Sequence, residues 1–117
     1  RIKMTLTIND LIQTSHNTAK EKGWWDDSNR NVGELLALVH SEISEALEVY
    51  RIKGKDGLQE IWEDEKGKPE GFVTELADVI IRIADLCGEF NLDLESTLVK
   101  KMEFNKTRPY RHGNKKA

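Results

Sequence analysis

The chain has 117 residues with a formal net charge of -3, of which 38% are hydrophobic and 33% charged. That length fits one domain and excludes two ordinary ones, and the composition excludes a chain disordered throughout. The single cysteine, Cys87, excludes an internal disulfide framework and a cysteine-based zinc site, and with no apolar run near membrane-span length and no charged-then-apolar leader it points to a cytoplasmic setting.

Thr7, with Asp10 three residues on, reads as an N-cap followed by an acid at the third helical position. Ile8, Leu11 and Ile12 begin a stripe that Gly23 ends, predicting a first helix over 8–22. Residues 24–31, WWDDSNRN, carry two tryptophans without a sustained period and read as a loop. A second helix spans 32–53 and stops at the cluster of Gly54, Asp56 and Gly57. Residues 55–71 hold three glycines, a proline and many charges, with Ile61 and Trp62 as the strong apolar anchors, and read as a connector with room for one short helical turn. A third helix, 72–90, is densely apolar and is closed by Asn91. Asp93 caps a fourth that reaches about residue 105 before Pro109 forbids continuation. β-structure has almost no support in the pattern. The expectation is an all-α fold, a four-helix bundle forming a single domain over 1–117, with a basic tail at 106–117.

On the second helix, Leu35, Leu36, Leu38, Val39, Ile43, Ala46, Leu47, Val49 and Tyr50 fill one arc when successive residues are stepped by about 100°. Glu42 falls inside that arc and Glu45 sits at its edge. A lone carboxylate pushed into an apolar face costs several kcal/mol unless it is protonated, paired or bound to metal. The third helix leaves only a narrow polar strip, Glu75, Asp78, Arg82, Asp85 and Glu89, whose alternating steps of three and four keep them in one line. A helix this apolar belongs at the centre of the bundle or at a subunit interface. Two E-x-x-E/D pairs on facing helices gather four hard oxygen ligands, a set suited to Mg²⁺ or Mn²⁺, and the lack of histidine in either pair speaks against zinc and di-iron. A single E-x-x-E is more often a solvated face; two of them, with one acid inside an apolar arc, leave a solvated face and a functional site as equal alternatives.

On the fourth helix Leu94, Leu98 and Met102 form the inward stripe, flanked by Lys101 and Asn105, with Arg108 following the helix end. The pattern K-x-x-x-N-x-x-R supplies two cations and an amide for phosphate oxygens, or alternatively cations that favour the carbonyl end of the helix. Residues 100–117 hold seven lysines and arginines against Glu103, so the remainder carries an excess of nine acids. That balance argues against nucleic acid lying along the whole surface and for a metal, or a metal bound to phosphates, on the acidic part. Trp24 and Trp25 can stack on a base or plug the end of a core, and His16 carries the same two readings. Cys87 lies in the apolar arc of the third helix and reads as core.

Glu42-Ile-Ser-Glu45 preceded by LLALVHS, then Glu75-Leu-Ala-Asp78, then Lys101, Asn105 and Arg108, resembles in this order the MazG-like, all-α nucleotide pyrophosphohydrolases, relatives of the dimeric dUTPases and of phosphoribosyl-ATP pyrophosphohydrolase. The resemblance covers about residues 16–112, with a somewhat long connector between the two acidic motifs. It implies a MazG-like bundle completed by oligomerisation into a homodimer or dimer of dimers, with Mg²⁺ held by Glu42, Glu45, Glu75 and Asp78. It also implies hydrolysis of a nucleoside triphosphate to a monophosphate and pyrophosphate, with Lys101, Asn105 and Arg108 on the phosphates. Relatives that prefer deoxycytidine nucleotides place a histidine and a following tryptophan near the base, which maps to His16 and Trp25 or Trp24. They carry a tyrosine one turn after the last acid, where this chain has Arg82. Two competing expectations are a non-enzymatic helical interaction module with an acidic strip, and a pyrophosphohydrolase of a phosphoribosylated nucleotide.

Overall fold

The computed structural model describes residues 5–27 and 29–116; residues 1–4, 28 and 117 of the expected domain lie outside the described part. Its helices follow the local signals closely. In α1, Ile8–Glu21, Asp10 N donates to Thr7 Oγ1 at 3.0 Å and Thr7 N donates back to Asp10 Oδ2 at 3.2 Å, which closes a capping box. The next helix, α2, Val32–Lys53, starts at Asn31, whose side chain accepts from Glu34 N at 3.1 Å, and ends at Gly54 with φ 71°.

The third and most apolar helix, α3, Phe72–Glu89, begins at Gly71, where φ is 141° and a Cβ would run into the carbonyl oxygen of Glu60. Asp93 caps α4, Leu94–Thr107, by accepting from Ser96 N at 3.1 Å, and Pro109 follows its end. A last short helix, α5, Arg111–Asn114, lies within the stretch expected to be a plain basic tail.

The connector departs from expectation. After a single 3-10 turn at Lys55–Gly57, it forms a small antiparallel hairpin of β1, Trp62–Glu63, and β2, Pro69–Glu70, with Trp62 opposite Glu70 and Glu63 opposite Pro69. Turn chemistry rather than strand pattern builds it. Asp64 Oδ1 accepts from Lys66 N at 2.8 Å and from Lys68 N at 2.9 Å, while Gly67 takes φ 80°. Two-residue strands carry no alternation for a sequence to display. Lys53 Nζ sits 4.7 Å from the centroid of the Trp62 ring and ties the hairpin to the end of α2.

Helix α3 lies between α1 and α2 and packs along both, as its apolar density requires. Gly88 allows α1 to approach closely, since a Cβ there would lie 2.6 Å from the Cβ of His16. Among the described residues the buried hydrophobic ones are only Ala46, Ala84 and Cys87, and no large side chain is fully buried. Leu36, Ile43, Leu47 and Tyr50 on α2, and Val73, Leu76, Ile80 and Ile83 on α3, all stay substantially exposed.

The fourth helix is peripheral: it touches α1, and Asn9 donates from its backbone N and its side-chain amide to the Glu95 carboxylate at 3.3 and 3.1 Å. Its expected inward stripe is therefore open, with Met102 61% exposed. The fold is all-α with four principal helices, and no described helix is long and apolar enough to cross a membrane.

Candidate functional site

Register on two neighbouring helices brings the acids together. Glu42, one turn before Ala46 on the α3-facing side of α2, is 9% exposed; Glu75, in the first turn of α3, is 6% exposed. Each of Glu42, Glu75 and Asp78 places a carboxylate oxygen within 4.8 Å of the other two. Glu45 does not join that group as tightly. It is exposed, and lines the same cavity as Glu42 and Asp78.

The electrostatics are unbalanced toward negative charge. Burial first, then the adjoining Glu45 and Glu42 carboxyls, push the Glu75 carboxyl up to about 7. Burial and the Glu42 charge raise Asp78 as well, against the opposing pull of Lys68 and Arg82. Glu75 Oε2 is buried without any hydrogen-bond partner among the described residues. A buried acceptor left unpaired in this way costs about 1–3 kcal/mol, more if charged, so its presence calls for a partner of another kind. The donor set fits a hard divalent cation, because every ligand is a carboxylate oxygen.

The cavity beside these acids has a volume of about 550 Å³, within the range of small-molecule sites. Its walls come from α1 at Ser15 and Thr18, from the loop at Trp24, Trp25 and Arg30, and from α2 and α3. Arg82, one turn beyond Asp78, lies along it and donates from Nε to Glu42 Oε1 at 3.0 Å. Lys68 enters from the hairpin turn. At the end away from the acids, Trp25 Nε1 donates to Asp85 Oδ1 at 2.8 Å, and His16 Nδ1 lies 2.9 Å from the same oxygen. The Trp25 ring meets Phe90 edge to face at 6.2 Å, and Arg30 stands 5.5 Å from its centroid.

The candidates named from sequence divide into two groups. Glu42, Glu45, Asp78, Arg82, Trp24 and Trp25 line one cavity, and Glu75 closes the acidic cluster behind it. His16 does not line that cavity; its ring nitrogens face Asp85 and, at 3.4 Å, Glu89. Lys101, Asn105 and Arg108 lie on or just after α4 and line no part of it. Asp85 and Lys68 were not singled out from sequence. Asp85 was visible only as a member of the polar strip, and Lys68 gave no signal, because a connector lysine is ordinarily solvated.

Comparison of the chain with family models, with curated proteins and with solved structures returns no match.

Proposed function

We propose that this chain is a divalent-cation-dependent nucleoside triphosphate pyrophosphohydrolase of the MazG-like kind, working as a homodimer or dimer of dimers. The observation that carries this is Glu75 Oε2: a buried, unpartnered carboxylate oxygen held with Glu42 and Asp78 in a cluster of hard ligands at the edge of a nucleotide-sized cavity. In this reading Glu42, Glu75 and Asp78 hold Mg²⁺ or Mn²⁺, with Glu45 completing the set from the cavity side.

Bound Mg²⁺ would supply charge neutralisation of the triphosphate and acidify a water. The chain's own groups do the rest. Glu45, exposed to the cavity, accepts the proton of the water that attacks phosphorus; pyrophosphate leaves with its electron pair and a nucleoside monophosphate remains. Arg82 and Lys68, both on the cavity wall, face the phosphate charge. Trp24 and Trp25 offer ring faces to a base, and the Asp85 hydrogen bond orients Trp25. Lys101, Asn105 and Arg108 reach phosphate in this reading only from a second copy.

A second copy also answers the exposed apolar faces of α2 and α3, which a core of three small buried residues among those described leaves uncovered. The same faces favour the competing view of a non-enzymatic helical interaction module. Phosphate release from a panel of ribo- and deoxyribonucleoside triphosphates with Mg²⁺, with and without added inorganic pyrophosphatase, separates the two. Signal that needs the added enzyme identifies pyrophosphate as product and ranks the bases. Folded protein silent on the whole panel, and unchanged in Tm by millimolar Mg²⁺, would leave the interaction module standing.

A further inference from the structure

One cation pairs with the carboxylate cluster among the described residues, and it is not a metal. Arg82 Nε donates to Glu42 Oε1 at 3.0 Å, linking α3 to α2 across the acids. The two partners differ in freedom: the Glu42 side chain is 11% exposed, whereas that of Arg82 is 41% exposed and lies along the cavity wall. Glu42 is therefore fixed, and Arg82 has room to leave it without leaving the cavity. Its position on the polar strip, one turn beyond Asp78 and one turn before Asp85, sets it between the acidic end and the Trp25 end.

We infer that Arg82 is the resting counter-ion of the cluster: it neutralises Glu42 when no cation is bound, is displaced from Glu42 by a divalent cation, and then turns its guanidinium to the phosphate oxygens of the substrate. The inference rests on the proposed cation site. A guanidinium stays protonated at any working pH, so it cannot shed its charge when a divalent cation arrives beside it. Repulsion between the two positive charges at a shared, poorly hydrated carboxylate opposes simultaneous occupancy. Once released, the planar fork matches phosphate oxygens better than a lysine ammonium would, and charge compensation passes from Glu42 to the ligand. Cation and nucleotide binding are coupled as a result: the cation alone binds against Arg82, and the pair binds with its help.

The test uses the full chain with Arg82→Gln and Arg82→Lys, and reads binding rather than turnover. Mn²⁺ and Mg²⁺ affinity without nucleotide, by calorimetry and by the rise in Tm, is expected to increase about five-fold in Arg82→Gln, the upper size of one part-exposed ion pair, with Arg82→Lys between the two. Affinity for a triphosphate analogue carrying an α,β-methylene bridge, measured with saturating cation, is expected to fall about ten-fold in Arg82→Gln. Unchanged or weaker cation affinity in both variants overturns the inference and makes Arg82 a structural brace. Tighter cation binding with undiminished analogue affinity overturns the transfer to phosphate. Absence of cation binding in the wild-type chain and both variants overturns the underlying cation site instead, a result distinct from either of the others.

Discussion

Trp25 and Asp85, 60 residues apart in sequence, are joined by a 2.8 Å hydrogen bond from the indole Nε1 to Oδ1, and His16 Nδ1 meets the same oxygen at 2.9 Å. One carboxylate on the cavity wall thus fixes a loop tryptophan that also lines it and a helix α1 histidine that does not. Asp85→Ala should cost about 1–3 kcal/mol, since it leaves the part-buried indole N–H unpaired. The freed Trp25 should also raise KM for nucleotide more than it lowers kcat. Denaturant titration and steady-state kinetics check this, and Asp85→Asn, which keeps an acceptor, should recover most of both. Wild-type KM in Asp85→Ala would remove Trp25 from the substrate site.

Replacing one oxygen ligand by an amide leaves size and helix propensity nearly unchanged while removing a charge. Glu45→Gln and Asp78→Asn are therefore expected to lower kcat by about 10²-fold or more with far-UV circular dichroism preserved. Full activity in both would end the four-carboxylate assignment.

The Glu75 carboxyl stands at about 7 instead of 4.5. A carboxyl raised on folding binds its proton more tightly in the folded state. Its contribution to stability is therefore fully present below about 4.5 and is lost as pH rises through about 7, with a swing on the order of 3 kcal/mol. Urea midpoints of cation-free protein should fall from pH 5 to pH 8. Glu75→Gln, neutral at every pH, should flatten that slope, raise stability at pH 8 and abolish Mg²⁺ stabilisation. A slope as steep in Glu75→Gln as in wild type would show that the burial cost lies elsewhere.

Val73, Leu76, Ile80 and Ile83 recur at three- and four-residue steps on α3, and each is more than a third exposed. Sedimentation equilibrium should find the wild-type chain as a dimer or tetramer, and Ile80→Lys should shift it to monomer. A wild-type chain that sediments as a monomer at every concentration contradicts the assembly.

At Gly88 the helices touch, a Cβ there falling 2.6 Å from His16 Cβ. Gly88→Ala gains about 1 kcal/mol of helix propensity but forces α1 away from α3 at a typical overpacking cost of about 1–3 kcal/mol. A net loss of Tm is expected; a gain would mean that α1 yields freely.

Much of the molecule was legible in the chain alone. Thr7 with Asp10, Gly54, Asp93 and Pro109 set the helix boundaries because caps and breakers act within a few residues. Glu42 inside an apolar arc announced burial, because the helical period alone fixes which face a residue shares. Only the tertiary structure decided which acids meet within 4.8 Å, that Arg82 pairs with Glu42 and that Asp85 gathers Trp25 and His16. It alone placed Lys68 on the cavity and left Lys101, Asn105 and Arg108 away from it. Local periodicity specifies direction around one helix axis, whereas distances between side chains on different helices depend on how those helices cross and how closely small residues such as Gly88 let them approach.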